Sequence, residues 1–237
     1  MNEGLLNLNK LQYAVYGFAL TQKYALKLAK TSDPLVKKNL RLEFTQTLFS
    51  TLNIHVKIEN NENIPTEGQY LICSNHRSIL DPLAIDMVLE KSDIFALWVA
   101  KKELYNNILL GKAVRSGGCI QLDRGERDTK TFLSDIKKGL AEGSSVAIFP
   151  EGTRNKTKQR LLSFKKGFAI IARRNRLPIL PVYIKSNASE VLHASLLDNS
   201  IPHELTVVIG ETIEHTNKND LEELYRRMFG LEESSVF

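Results

Sequence analysis

An α/β fold, with a mostly parallel, mixed central sheet flanked by helices and an added helical pair at the N-terminus, is the class this sequence predicts. Three observations carry it. From Ile58 onward, short apolar runs rich in β-branched residues alternate with segments of helical periodicity. Several of those helical segments close on Gly or Asn, the usual stop signals. The 237 residues are 43% hydrophobic and 25% charged, which suits a folded domain with a substantial core. Strands separated by helices favour parallel pairing, because each helical crossover returns the chain to the same end of the sheet.

The elements follow in order. Leu8, Leu11, Val15 and Phe18 fall at helical spacing, and Leu35, Leu40, Phe44, Leu48 and Leu52 form a second apolar row. Asp33-Pro34 separates the two, with Asp33 a natural N-cap and Pro34 suited to the first helical position. Strands are expected over 70–74, 95–100, 146–149, 179–185 and 205–210, and helices over 82–90, 102–111, 130–141, 165–175 and 220–229. The division expected is a basic helical pair over 1–57 and an α/β domain over 58–237. No internal repeat and no low-complexity linker interrupts the chain.

Charge is unevenly spread within the net +5. Residues 1–57 carry eight basic and three acidic side chains, 58–189 carry 21 and 14, and 190–237 carry three and ten. A positive middle points to an anionic substrate, and a positive arm with Tyr13, Tyr16 and Phe18 points to an anionic membrane surface. A helical hairpin packed on its own domain with a solvated basic face fits the same residues. The longest uncharged run, the twelve residues 11–22, makes a helix about 18 Å long against a hydrocarbon core of about 30 Å. No transmembrane anchor and no secretory signal is therefore expected. Only Cys73 and Cys119 are present, which reads as free thiols in a cytoplasmic protein. Nucleic-acid motifs, zinc-ligand spacing and glycine-rich nucleotide loops are all missing, which argues against a nucleic-acid partner, a dehydrogenase and a kinase.

Ligands of open α/β sheets favour the loops beyond the carboxyl ends of the strands, and two such loops are dense in functional groups. In the first, His76 and Asp81 stand five positions apart. On one continuous helix they would point about 140° apart. They meet only if His76 lies on the turn leading into a helix that Asp81 begins, and Pro82 supports such a start. Asp81 would then accept from one ring nitrogen of His76, fix the tautomer, and leave the other nitrogen as a base for an alcohol. Ser78 lacks the small-residue elbow of a hydrolase nucleophile. In the second loop, Arg154 offers a planar fork for a phosphate, Thr153 a hydroxyl, and Gly152 close approach of backbone amides. Glu151 is out of place beside a phosphate unless it aligns an arginine or accepts from a ligand hydroxyl.

Read together, the segments resemble four motifs of the glycerolipid acyltransferases. NHRSILD at 75–81 resembles their H-x4-D motif, and GCIQLDR at 118–124 is similar to the second, which commonly ends in Asp-Arg. FPEGTR at 149–154 matches the third, and LPILPV at 177–182 is similar to the fourth, a short proline-bearing apolar strand. The resemblance spans about 58–185, and it is strongest to the bacterial 1-acyl-sn-glycerol-3-phosphate acyltransferases. The hydrophobic N-terminal span of many members is absent, which favours a peripheral enzyme on the cytoplasmic face of the membrane.

That resemblance implies a glycerolipid-acyltransferase-like fold whose N-terminal helices dock on the bilayer. It implies transfer of an acyl group from acyl-CoA or acyl carrier protein to lysophosphatidic acid, with His76 and Asp81 catalytic. Glu151, Gly152, Thr153 and Arg154, with Arg124 and Lys101 of second rank, are implied to hold the acceptor phosphate or glycerol. Pro178, Ile179 and Pro181 are implied near the acyl donor, although a core strand explains them too. Ile79 to Leu83 and Ile108 to Leu110 fit the lining of an acyl tunnel, and also core packing. No metal or organic cofactor is implied. A related transferase with another lysolipid acceptor, a thioester hydrolase, and a noncatalytic membrane-binding protein remain alternatives.

Overall fold

A computed structural model describes residues 3–123 and 129–232. Two helices open the chain, α1 (Glu3–Leu28) and α2 (Pro34–Thr51). Asp33 caps the second, its carboxylate accepting the N–H groups of Leu35 and Val36 at 2.8 and 3.0 Å. There follow β1 (Ile54–Glu59), β2 (Leu71–Ser74), α3 (Asp81–Val88), β3 (Ala96–Lys101), α4 (Lys102–Tyr105), α5 (Gly111–Ser116), β4 (Cys119–Leu122), α6 (Thr129–Ala141), β5 (Ser145–Ile148), α7 (Gly167–Asn175), β6 (Ile179–Ile184), α8 (Ala188–Leu197), β7 (His203–Ile209) and α9 (Leu221–Met228).

Among the described residues the strands form one seven-stranded sheet in the order β1-β7-β6-β2-β5-β3-β4. Every neighbouring pair is parallel except β6 and β7, so the sheet is mostly parallel and mixed, as the alternation of elements predicts. Both faces of the central strands are covered. Ile72, Leu180 and Val182 join Phe49, Ile85 and Ala188 on one side, while Leu71, Cys73 and Ile179 join Ile136, Phe168 and Ile171 on the other. Burial on both faces is why these strands read as continuous apolar runs rather than as alternating ones.

Three elements escape the sequence reading: β1, β4 and α8. The first straddles residue 57, so residues 54–57 of the stretch read as a helical arm belong to a sheet strand. The single helix expected over 102–111 is instead two short ones, α4 and α5. Between them the Asn107 side chain accepts the N–H groups of Leu109 and Leu110, each at 2.9 Å, which ends one helix and re-aims the chain. Ile108 is left 98% exposed, so this segment does not fill a core. Of the other apolar segment, Ile79 is exposed and Leu80 is buried.

The helical arm is bound to the domain on one side only. Leu20, Tyr24, Ala25 and Leu28 of α1 are buried, whereas Leu11, Val15 and Phe18 of the predicted row face outward with Leu26. On α2 the deeply buried row is Arg41, Thr45 and Phe49, two of them polar, and Leu52 continues it just past the helix end. Arg41, read from sequence as part of a basic surface, is an internal tether. Its guanidinium pairs with Asp86 of α3 through both nitrogens of one edge, and it donates to the Ala96 carbonyl at 2.7 Å and the Gly117 carbonyl at 3.3 Å. Among the described residues no helix is long and apolar enough to cross a membrane.

Candidate active site

The carboxyl end of β2 lies in the middle of the sheet, and the chain leaves it by a side-chain continuation of the ladder. Asn75 donates from Nδ2 to the Ile184 carbonyl at 3.0 Å and accepts the Ile184 N–H at 2.8 Å, as a backbone residue of the next strand position would. That turns the following residue, His76, out of the sheet plane and onto the turn that precedes α3. Its Nδ1 lies 2.7 Å from Oδ2 of Asp81, the first residue of α3, with Pro82 immediately after. The geometry is the one the five-residue spacing requires.

Asp81 is fully buried, and its Oδ2 also accepts the N–H groups of Arg77 and Ser78 at 2.6 and 2.7 Å. Three donors converge on one carboxylate oxygen, which holds the turn and orients the imidazole at once. The other oxygen, Oδ1, is buried and accepts nothing from the described residues. With Nδ1 donating to a carboxylate, the lone pair of the neutral ring is on Nε2. The ring itself is held flat: it stacks on Phe149 at 3.9 Å and 8°, and Phe149 stacks on Trp98 at 4.9 Å and 20°. The His76 side chain keeps 18% of its surface open to solvent.

The loop after β5 is tied to the loop after β2 at two points. Glu151 accepts the His76 N–H on Oε1 at 2.7 Å and the Leu162 N–H on Oε2 at 2.9 Å, while the His76 carbonyl accepts the Asn155 N–H at 2.6 Å. Glu151 is 1% exposed, so its carboxyl group is a brace inside the protein rather than a surface group beside an anion. Burial pushes its pKa up to about 7, against the two backbone N–H bonds and the Arg77 charge, which pull it down. Gly152 takes a φ of 69°, the left-handed region where a side chain is disfavoured, and so closes the turn beneath Thr153 and Arg154. Those two side chains are exposed.

Lys101 ends β3, and the register of Trp98 with Ala147 carries it level with Pro150, on the same sheet edge as His76. It is exposed there, beside the ion pair of Lys102 with Asp123. Arg124 lies outside the described residues. The structure thus gathers His76, Asp81, the 151–154 loop and Lys101 at one edge.

It does not gather Pro178 and Ile179. Ile179 pairs with Leu71 at the start of β2, three positions and roughly 10 Å along the strand before its carboxyl end. Ile179 is 2% exposed and Pro181 is buried between β2 and β7, so this motif is core strand. Pro181 is tolerated in a central strand because it sits at the end of the β6/β7 pairing, where Gly210 donates to its carbonyl at 2.9 Å. Sequence reasoning missed the Trp98–Phe149–His76 stack, although Phe149 opens the third motif and Trp98 is the chain's single tryptophan.

Comparison with known proteins places the chain in a family. The profile described as Acyltransferase matches residues 55–185. The chain is 32% identical over 163 residues to a 1-acyl-sn-glycerol-3-phosphate acyltransferase of Helicobacter pylori, covering 68% of this chain and 67% of that one. It is 29% identical over 134 residues to the protein of that name in Bacillus subtilis, covering 56% and 64%, and the match to one from Cocos nucifera spans 41% of that relative. A crystal structure of the PlsC 1-acyl-sn-glycerophosphate acyltransferase from Thermotoga maritima superposes with a TM-score of 0.69 at 23% identity, covering 97% of this chain and 94% of that one, which establishes the shared fold. This chain belongs to the acyltransferase family.

Proposed function

We propose that the protein transfers a fatty acyl group from an acyl thioester, acyl-CoA or acyl carrier protein, to the sn-2 hydroxyl of 1-acylglycerol 3-phosphate, giving phosphatidic acid. The single observation that carries this reading is the His76–Asp81 pair at 2.7 Å on a braced loop, with Nε2 as the base. Nε2 takes the hydroxyl proton as that oxygen attacks the thioester carbonyl. The new C–O bond forms, the C–S bond breaks, and the imidazolium returns its proton to the departing thiolate. Asp81 keeps the tautomer and stabilises the transient cation. Attack is direct, so kinetics are sequential with no acyl-enzyme burst.

Arg154 is assigned the acceptor phosphate, with Thr153 and Lys101 beside it on the same edge. Glu151 serves by holding the loop in place. The names of the curated relatives support this acceptor, since each is called a 1-acyl-sn-glycerol-3-phosphate acyltransferase. The outward row of Leu11, Val15, Phe18 and Leu26 on α1 lies beside the exposed Leu109, whose carbonyl accepts from Gln22 of α1 at 2.7 Å. We assign this surface, with Lys23 and Lys30, to docking on the anionic cytoplasmic face of the membrane.

The test is product analysis by mass spectrometry, using liposomes that contain lysophosphatidate and lysophosphatidylcholine together with CoA and carrier-protein thioesters. Phosphatidate is expected with the native chain, and His76→Ala should lower its rate by about 10²–10⁴ or more. Thioester loss without new lipid would replace the transferase reading with a hydrolase.

A further inference from the structure

A second cationic site flanks the His76 loop on the side away from Lys101. A cavity of about 380 Å³ opens beside the ends of β1, β6 and α9, with Arg77, Arg160, Lys185, Tyr183, Asn187 and Glu59 in its wall. Three cations face one carboxylate, so the lining is net positive. Arg77 is the residue after His76; its guanidinium donates to the Gln159 carbonyl and its own carbonyl accepts from Ser189 at 2.9 Å, which seats it between the catalytic turn and the cavity. Asn187 caps α8, whose positive helix end is added to the wall. Burial raises the Tyr183 hydroxyl, while Arg160, Arg77 and Lys185 pull it back, so all three charges act on the same oxygen.

Lys185 of this cluster stands well apart from Lys101. In the order β6-β2-β5-β3, Lys185 and Lys101 follow strands three spacings apart, roughly 14 Å. Lys185 also leans away from β2, its ammonium 3.1 Å from Glu59 at the end of β1. His76, after β2, stands between Lys185, after β6, and Lys101, at the end of β3, and a two-substrate transfer brings two anionic substrates.

We propose that this cavity binds a phosphate of the thiol carrier on which the acyl group arrives. The acceptor phosphate lies on the β5/β3 side, the reacting carbonyl at His76, and the carrier leaves toward β6 and β7. The assignment rests on the transferase reading above and adds the donor subsite to it. Arg160 and Lys185 make charge-assisted contacts with the phosphate, and Arg77 completes the cluster.

The test uses the full chain and the double variant Arg160→Ala/Lys185→Ala, which leaves the His76 loop intact. Initial rates are compared for an acyl-CoA and for the same acyl group on N-acetylcysteamine, a thioester with no phosphate. The KM for acyl-CoA is expected to rise about tenfold or more, with kcat and the acceptor KM held within about twofold. With the N-acetylcysteamine thioester the variant should match the native chain. Equal losses with both donors, or a rise in the acceptor KM instead, would overturn the proposal.

Titration calorimetry with free CoA and free 4′-phosphopantetheine reads the site without turnover. Weaker CoA binding to the variant supports it, and unchanged binding overturns it, even if no acyl transfer is found and the transferase reading itself fails. Sensitivity shared by 4′-phosphopantetheine assigns the pantetheine phosphate, whereas sensitivity of CoA alone assigns its nucleotide phosphates. Weakening confined to an acyl carrier protein, with CoA unaffected, also overturns the assignment.

Discussion

Replacing Glu151 with Gln separates a brace from a ligand-binding group. The native carboxyl accepts two backbone N–H groups, from His76 at 2.7 Å and from Leu162 at 2.9 Å, inside the protein. A Gln side chain has one acceptor oxygen, so one N–H is left facing an amide donor, at a cost of about 1–3 kcal/mol. The pH dependence is more telling. In the unfolded chain the carboxyl ionises near its ordinary value of about 4.3. Folded, it keeps its proton up to about 7, because burial disfavours the charge. Between those values the folded state binds more protons, so raising the pH favours unfolding. This group's contribution is full below about pH 4.3 and falls by roughly 3 kcal/mol by the time the pH passes its folded value.

Gln does not titrate, so the native chain should lose roughly 6–12 °C of melting temperature relative to the variant between about pH 4.5 and 7.5. Differential scanning calorimetry of both proteins across that range is the measurement. A difference independent of pH would show that the two backbone donors keep Glu151 ionised throughout, and would refute the argument from burial. Kinetics add a second readout: a brace predicts lower kcat with the acceptor KM little changed, and a rise confined to that KM would restore Glu151 to the acceptor site.

Other outcomes follow from the same geometry. Arg154→Lys keeps the charge and loses the bidentate fork, so steady-state kinetics should show a raised acceptor KM; an unchanged value counts against the phosphate assignment. Arg41→Ala strands Asp86, whose side chain is 10% exposed, and two backbone carbonyls, and thermal melts should show a loss of about 3–5 kcal/mol, roughly 6–20 °C. A melt within a degree or two of native would mean that α2 relaxes to let water reach Asp86. Phe18→Glu combined with Ile108→Glu puts two charges on the outward apolar surface, so sedimentation with anionic liposomes should fall sharply while circular dichroism is unchanged; undiminished binding would move the docking face elsewhere.

Much of the candidate site is local in the chain and was readable for that reason. His76 and Asp81 are five residues apart, Pro82 sets where the helix starts, and only one arrangement lets the pair meet. The 149–154 loop is likewise one continuous segment whose residue types state their chemistry. Periodicity also found the central strands, since burial on both faces leaves an unbroken apolar run. It failed where a position breaks the composition rule. The buried row of α2 contains Arg41 and Thr45, and a charged residue reads as solvent-facing until its partner Asp86 is seen across 45 residues of chain. Asn107 cut an expected helix through a side-chain bond that no apolar pattern records.

Residue types and their short-range spacing determined the α/β class and the His–Asp pair, because those depend on dihedral limits, burial and charge within a few residues. Tertiary structure alone decided the strand order that puts β2 at the centre, the clamp of Glu151 on a backbone N–H 75 residues away, and the stack of His76 on Phe149 and Trp98. It also decided that Arg77, Arg160 and Lys185 share one cavity. Each of these joins residues distant in sequence, and such contacts are selected by the packing of the whole sheet, a global minimum that no local pattern of side chains encodes.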